Sequence, residues 1–335
     1  MTQSISFAEH YRPSALTLGT VQFGMEYGIA NSSGRPDQRT VCDILACAAA
    51  GGVNCLDTAA AYGASEEVLG RALHDTGLAQ AMIVVTKVQP IPPDLDVHAV
   101  AAFIEQSVTR SLQQLRLETL PLCLFHREQD YRYLDELCRL RARGLVRYTG
   151  VSADSLPQPA RDMAAAGRVD ALQLPMNIID RRHEQSGVLD LAAERGLCVF
   201  VRSVYLQGLL LMPEKKVMPA LADVLPVRRK LQQLAQEAGM GMDELAVRYI
   251  LSLRGVSSVI TGVETVEQMR RNAGLCARGG LPADMLADIR RMVPELPEFV
   301  LTPKLWPNAA HYRQQAAGRQ LNQDTSDIPK EQSHE

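Results

Sequence analysis

The sequence predicts an α/β protein, a (β/α)8 TIM barrel forming a single domain with a C-terminal extension, and three features of the chain lead there. Short apolar runs alternate with longer helical patterns along most of its 335 residues. Those runs are close to continuously apolar, as strands of a parallel sheet covered by helices must be. Eight of them can be drawn, the number at which such a sheet closes on itself. A doubly wound open sheet is the alternative, but no G-x-G-x-x-G follows the first run.

Taken in order, "ALTLGT" (15–20) is the first strand, followed by a helix over about 37–50 that stops at Gly51. "VNCLDT" (53–58) leaves that turn as the second strand. Its helix, about 65–76, opens with "SEEVLGRAL", where Ser65 is the expected N-cap and Glu66 and Glu67 favour the helix dipole. "MIVVTKV" (82–88) is the third strand, and a proline-rich loop, "QPIPPDLDV", leads to a helix over 98–116. "PLCLFH" (121–126), "RYTGVS" (147–152) and "ALQLPMN" (171–177) follow as strands. Helices at 132–143, 155–166 and 184–195 separate and follow them, ending at Gly144, Gly167 and Gly196. "CVFVRS" (198–203) precedes a helical stretch at 227–254 that breaks near "AGMGMDE". "SSVITGV" (257–263), a helix over 264–275 and another around 283–293 complete the pattern. Residues 1–14 are an N-terminal extension and 15–300 the barrel. Residues 301–335 are a C-terminal segment, polar and expected to be disordered from about 315.

Bulk properties narrow the function. A net charge of −3 offers no basic face for nucleic acid. The N-terminus "MTQSISFAEHYRPS" lacks the apolar core of a signal peptide, and no apolar run approaches a membrane span. Seven cysteines lie without C-x-x-C pairs, so they are expected to be reduced packing residues of a cytoplasmic protein, and no metal site is expected.

In a β/α barrel, chemistry sits where strands end. The second strand ends in Asp57 with Tyr62 on its loop, the third carries Lys87, and the fourth ends in His126. A lysine closing an apolar strand is costly unless paired, and Asp57 is its nearest candidate partner. An ammonium beside a phenol lowers the phenol pKa from about 10, making Tyr62 a usable proton donor. His126 could hold the oxygen that receives the proton. Proton delivery without metal or nucleophile suits carbonyl reduction, with hydride from a cofactor.

The motifs "LDTAAAYGASEEVLG", "VVTKV", "LFHRE", "GVSADS", "QLPMNIID", "RSVYLQGLL" and "GVETVEQMRRN" follow one another in the order and spacing of the aldo-keto reductase family, which the chain resembles from about residue 16 to 275. The resemblance implies a barrel that binds a nicotinamide cofactor without a Rossmann domain, and a catalytic tetrad of Asp57, Tyr62, Lys87 and His126. It implies that Thr20, Ser152 and Gln173 meet the nicotinamide half, with Ala153 where the family often has asparagine. Arg202 stands where many members stack a flat side chain on the nicotinamide. Ser203, Leu206 and Gly208 fall in the loop that passes the pyrophosphate. Gly262, Glu264, Gln268 and Asn272 fall where the adenosine half binds. Many members have a basic residue near position 264 for the 2′-phosphate of NADPH. Glu264 here inclines the expectation toward NADH or dual use, although Arg270 or Arg271 could still reach a 2′-phosphate.

The expected function is therefore NADH- or NADPH-dependent reduction of an aldehyde, ketone or sugar-type carbonyl. The alternative is a cofactor-binding regulatory subunit of the same family with slow turnover. A small-molecule carbonyl compound is the expected partner, with no nucleic acid and no membrane. Val21, Gln22 and Phe23 are expected at the pocket mouth, Trp306 either there or anchoring the tail, and His74, His98 and His183 at the surface.

Overall fold

The computed structural model describes residues 7–27 and 34–306. Most of the C-terminal segment, with the disorder expected from about 315, lies outside them. The eight expected strands are all present: β1 (Leu16–Gly19), β2 (Cys55–Asp57), β3 (Ile83–Val88), β4 (Leu120–Phe125), β5 (Val146–Ser152), β6 (Ala171–Pro175), β7 (Cys198–Arg202) and β8 (Ser258–Gly262). They pair in parallel in chain order, and β8 closes onto β1. Helices on the outside are α1 (Gln38–Ala50), α2 (Ser65–Asp75), α3 (Val100–Leu115), α4 (Leu134–Ala142), α5 (Pro157–Ala166), α6 (Val188–Glu194), α7 (Leu225–Glu237), α8 (Met242–Leu251) and α9 (Val266–Ala277). A further helix, α10 (Ala283–Met292), follows the barrel. The stretch expected as one helix at 184–195 is two pieces, because Gly187 takes a φ of +77° ahead of α6.

Side chains alternate across each strand, and the alternation divides the core in two. Cys55, Ile83, Val85, Leu122, Leu124, Tyr148, Ala171, Cys198 and Phe200 point into the barrel and form one cluster. Leu56, Val84, Val88, Phe125, Val151, Leu172, Val199 and Val201 point outward and pack under the helices. The barrel has no empty lumen. Phe7, from a single turn at Phe7–His10, joins the inner cluster edge-on to Tyr148 and Phe200. Part of the N-terminal extension is thus a plug, bringing an aromatic ring that the barrel strands do not supply.

Parity places the polar strand ends. Residues 57, 87, 152, 173 and 202 share the inward parity of the inner cluster. The register sets Gly19 beside Asp57, Asp57 beside Val85, and Ser152 beside Gln173. Thr86 has the opposite parity and faces the helices. Its hydroxyl donates to Glu66 Oε1 at 2.6 Å.

Glu66 corrects an expectation. It is 1% exposed rather than a solvated partner of the helix dipole. Burial raises its pKa, against the pull of the Thr86 and Ser111 hydroxyls. Ser65 is likewise not a cap: the N-cap is Ala64. The Ser65 hydroxyl is buried and bonds the Thr20 carbonyl at 2.7 Å, the Thr20 hydroxyl at 2.8 Å and the Thr58 hydroxyl at 3.0 Å. It ties α2 to the ends of β1 and β2. Among the described residues no helix is long and apolar enough to cross a membrane.

A buried acid with a raised folded-state pKa is tolerated while protonated and penalised once ionised. Glu66→Gln should therefore stabilise the protein near pH 8, and the gain should fade toward pH 4, where both states of the wild type carry a protonated Glu66. Thermal melts of the two proteins across that range test this; a Tm difference that does not depend on pH would contradict it.

Candidate active site

Lys87 sits at the centre of the site, 1% exposed at the top of β3. Its ammonium donates to Asp57 Oδ1 at 2.8 Å, Asp57 Oδ2 at 2.9 Å and the Thr58 carbonyl at 2.8 Å. The Tyr62 hydroxyl is 3.4 Å away, and the tyrosine ring centroid 4.8 Å. Burial works to lower the Lys87 pKa, but Asp57 and Tyr62 outweigh it and the net shift is upward. Lys87 is therefore held as an ammonium across the neutral range, and its salt bridge to Asp57 leaves little net charge between them.

Tyr62 lies on the loop after β2, and a second loop fixes it there. Gly24, ending a short turn after β1, approaches so closely that an added Cβ would stand 1.8 Å from the Tyr62 carbonyl. Only glycine fits against that backbone. The His126 ring meets the tyrosine edge-on, with centroids 5.6 Å apart and planes at 89°. Burial, then Lys87, Arg202, Arg127 and Lys304, push the His126 pKa down to about 3. The imidazole is neutral at any ordinary pH, and its Nδ1 has no partner among the described residues.

The tyrosine departs from expectation. Lys87 pulls its pKa down, but burial is the larger effect and the net shift is upward. Lys87 limits the rise rather than producing a fall. Tyr62 is thus a neutral phenol holding its proton.

The polar network extends from β2 to β5. The Gln173 side-chain amide donates to Asp57 Oδ1 at 2.8 Å, and the Ser152 hydroxyl donates to Gln173 Oε1 at 3.3 Å. Arg202 reaches from the end of β7 to the Ala153 carbonyl at 2.9 Å, and lies 3.4 Å from the Ser203 hydroxyl. It is not the rim salt bridge that a surface arginine would make. Asn177 braces its own loop, accepting from the amides of Ile179 and Asp180. The Thr20 hydroxyl is taken up by the Asp57 carbonyl and Ser65.

After β7 the backbone is strained. Ser203, Leu206 and Gln207 have φ of 66°, 46° and 53°, and Gly208 follows at 93°. Three non-glycine residues in the left-handed region within five positions cost about 1–3 kcal/mol each, a pattern that gathers at ligand sites. Beyond β8, the Glu264 amide donates to Gln268 Oε1 at 2.7 Å, and the Asn272 side-chain amide donates to Thr261 Oγ1 at 3.0 Å. Thr265 caps α9. Arg271 is held by Asp243 at 2.5 Å, and Arg270 lies beside Cys47, Ala50 and Gly51 of the α1 end.

Some expected pocket residues lie elsewhere. Phe23 is fully buried in the outer core, and Gln22 is buried against Gly262 with Oε1 unpartnered among the described residues. His183 is 1% exposed, with Nε2 at 3.0 Å from the Asp154 carbonyl, so it is not a surface residue. Trp306 anchors the chain end through its Nε1–H to the Phe299 carbonyl at 3.0 Å. The Thr58 carbonyl and the Gly24 buttress escaped the sequence reading: a backbone carbonyl carries no residue-type signal, and the glycine at 24 signals a close approach without naming the partner. Among the described residues no cluster of three or more His, Cys, Asp or Glu could hold a metal ion.

Comparisons with known proteins agree with this architecture. The model of the aldo/keto reductase family matches residues 15–294. An uncharacterized oxidoreductase of Bacillus subtilis is 26% identical over 279 residues, covering 76% of this chain and 88% of that protein. A probable voltage-gated potassium channel β subunit of Arabidopsis thaliana is also 26% identical, over 77% of this chain and 88% of its own length. The holo form of an aldo-keto reductase from Bacillus halodurans superposes with a TM-score of 0.70 at 23% identity, covering 86% of this chain and 95% of that one, a likeness of fold.

Because Lys87 and Asp57 are buried together, removing one strands the other. Lys87→Met should destabilise the protein by about 3–5 kcal/mol, and adding Asp57→Asn should restore much of that loss. Urea unfolding of the single and double variants measures the coupling; simple additivity would mean that the pair does not act as a unit.

Proposed function

Since the chain belongs to the aldo/keto reductase family, whose members are nicotinamide-dependent carbonyl reductases, we propose that Tyr62 is its general acid and that Lys87, Asp57 and His126 set up the proton transfer. The observation that carries this reading is the Lys87 ammonium, which joins Asp57 to the Tyr62 hydroxyl inside a neutral, buried pocket. When bound, the reduced nicotinamide supplies the hydride that adds to the carbonyl carbon. Tyr62 gives its proton to the carbonyl oxygen, so that an alcohol forms. The nearby ammonium stabilises the phenolate left behind. A neutral His126 ring donates one N–H to the same oxygen without competing for the proton. Asp57 keeps Lys87 in place and charged.

Fit to the cofactor is supported by unsatisfied and strained groups. Ser152 and Gln173 are buried side by side; with the Ser152 O–H given to Gln173 and one Gln173 N–H given to Asp57, the second Gln173 N–H and a Ser152 lone pair are left for a carboxamide. The positive-φ run over 203–208 would pass the pyrophosphate, and Gly262 would allow close approach beside Gln22. Glu264, Gln268 and Asn272 would flank the adenosine half.

Glu264 bears on cofactor choice. A 2′-phosphate carries roughly two negative charges near pH 7, and a carboxylate within about 4–6 Å opposes it. Of the two arginines that could compensate, Arg271 is held by Asp243, and Arg270 lines a surface recess shared with Cys47, Ala50 and Gly51. NADH use or dual use follows. The substrate is proposed to be a small aldehyde, ketone or sugar-type carbonyl. The second reading, a slow regulatory subunit, draws on the likeness to the channel β subunit; turnover with a panel of carbonyls, followed by nicotinamide absorbance, separates the two.

Tyr62→Phe should lower turnover by about 10²–10⁴-fold and leave cofactor affinity nearly unchanged; near wild-type turnover would remove Tyr62 from the role. Glu264→Arg should tighten NADPH by about tenfold or more, while NADH stays the same or weakens. Titrations of both cofactors against both proteins check this, and a strong NADPH preference already present in the wild type and untouched by the substitution would contradict it.

A further inference from the structure

Arg202 is the one charge in the site centre that the mechanism above leaves without a task. Lys87 and Asp57 cancel. Tyr62 and His126 are neutral. At the rim, Asp154 pairs with Lys304 at 2.6 Å, Asp180 with Arg182 at 2.8 Å and Arg127 with Asp130 at 3.3 Å, while Glu128 Oε2 accepts from the Asp154 amide at 2.8 Å. Arg202 has no carboxylate partner among the described residues; its hydrogen bonds go to the Ala153 carbonyl and Ser203 Oγ.

Its position is set by the barrel. Arg202 ends β7, Ala153 follows β5, and β6 lies between them. To reach the Ala153 carbonyl the guanidinium must cross the end of β6, above Gln173. From there its field reaches both Tyr62 and His126. A carbonyl oxygen held by those two residues has its carbon within a few ångströms of them, and a hydride carrier must lie against that carbon. The carrier's ring therefore lies in the field of Arg202.

We infer that Arg202 is a specificity-determining residue for the redox state of the cofactor: its uncompensated guanidinium makes the site hold the neutral reduced nicotinamide in preference to the cationic oxidised one. The inference rests on the reductase reading above. The reduced ring is uncharged and meets a flat guanidinium without penalty. The oxidised ring carries a positive charge, and a like charge at close range in a water-poor pocket opposes it. By linkage, the factor that favours binding of the reduced form also disfavours hydride transfer on the enzyme. The compensation is release: the oxidised product leaves more readily, and the enzyme reloads with reduced cofactor even when the oxidised form is abundant.

The test is the ratio of dissociation constants for oxidised and reduced cofactor, measured without substrate by calorimetry and by fluorescence of the reduced form. The full chain, Arg202→Gln and Arg202→Lys are compared, with NAD+ and NADH and with NADP+ and NADPH. Glutamine keeps a donor for the Ala153 carbonyl but removes the charge. Its ratio should fall by about tenfold, equivalent to about 1.4 kcal/mol, chiefly because the oxidised form binds more tightly. Lysine should retain most of the wild-type ratio. A ratio unchanged in Arg202→Gln, or equal weakening of both forms, would overturn the inference while leaving the reductase reading intact. An unchanged ratio joined to a rise in KM confined to carboxylate-bearing carbonyls would assign Arg202 to an anionic substrate instead. If the wild type bound neither form, the reductase reading itself would fail.

Discussion

A lysine ammonium enclosed at the top of β3 has to find oxygen, and the site is the set of oxygens that it finds. Two come from Asp57 and one from the Thr58 carbonyl. The fourth, longer contact is the Tyr62 hydroxyl. Because an unpaired buried charge is so unfavourable, these contacts hold β2, its loop and β3 in one geometry. The same ammonium keeps a buried phenol from drifting too far from ionisation, while burial keeps the neighbouring imidazole uncharged. Structure and chemistry here are one electrostatic arrangement.

Around that centre the site is largely enclosed and nearly neutral, which raises the weight of any single charge left in it. Arg202 is such a charge, placed above β6 by strand order together with its hydrogen bond to the Ala153 carbonyl. The strained loop that starts at Ser203 is the next feature along the same path. Strain, an unpaired cation and half-satisfied amides therefore run contiguously from β5 across β6 to β7, as expected of a surface that is complete only with its ligand.

Several side chains took a different role once tertiary contacts were present. Ser65 and Glu66 stand where a helix start places caps and dipole partners, yet both are buried because α2 lies flat against β1, β2 and β3. His183 faces inward to a carbonyl rather than outward to water. The Tyr62 pKa moves up rather than down, since proximity to a cation was foreseeable while the depth of burial was not.

Residue types alone were enough to read the number of strands, their order, and the polar residues at their ends. Period-two alternation then dictated that 57, 87, 152, 173 and 202 share one face, so their convergence was legible from parity and closure together. The mutual order of Asp57, Tyr62, Lys87 and His126 carried the family resemblance for the same reason: each lies at or just past a strand end. Which of these residues actually touch, how deeply each is buried, and which backbone groups join them were settled by packing between strands, loops and helices. The Thr58 carbonyl, the Gly24 buttress under Tyr62, the Phe7 plug and the reach of Arg202 to Ala153 depend on contacts between segments distant in sequence. Such contacts are fixed by strand register and close packing, and a string of residue types records neither.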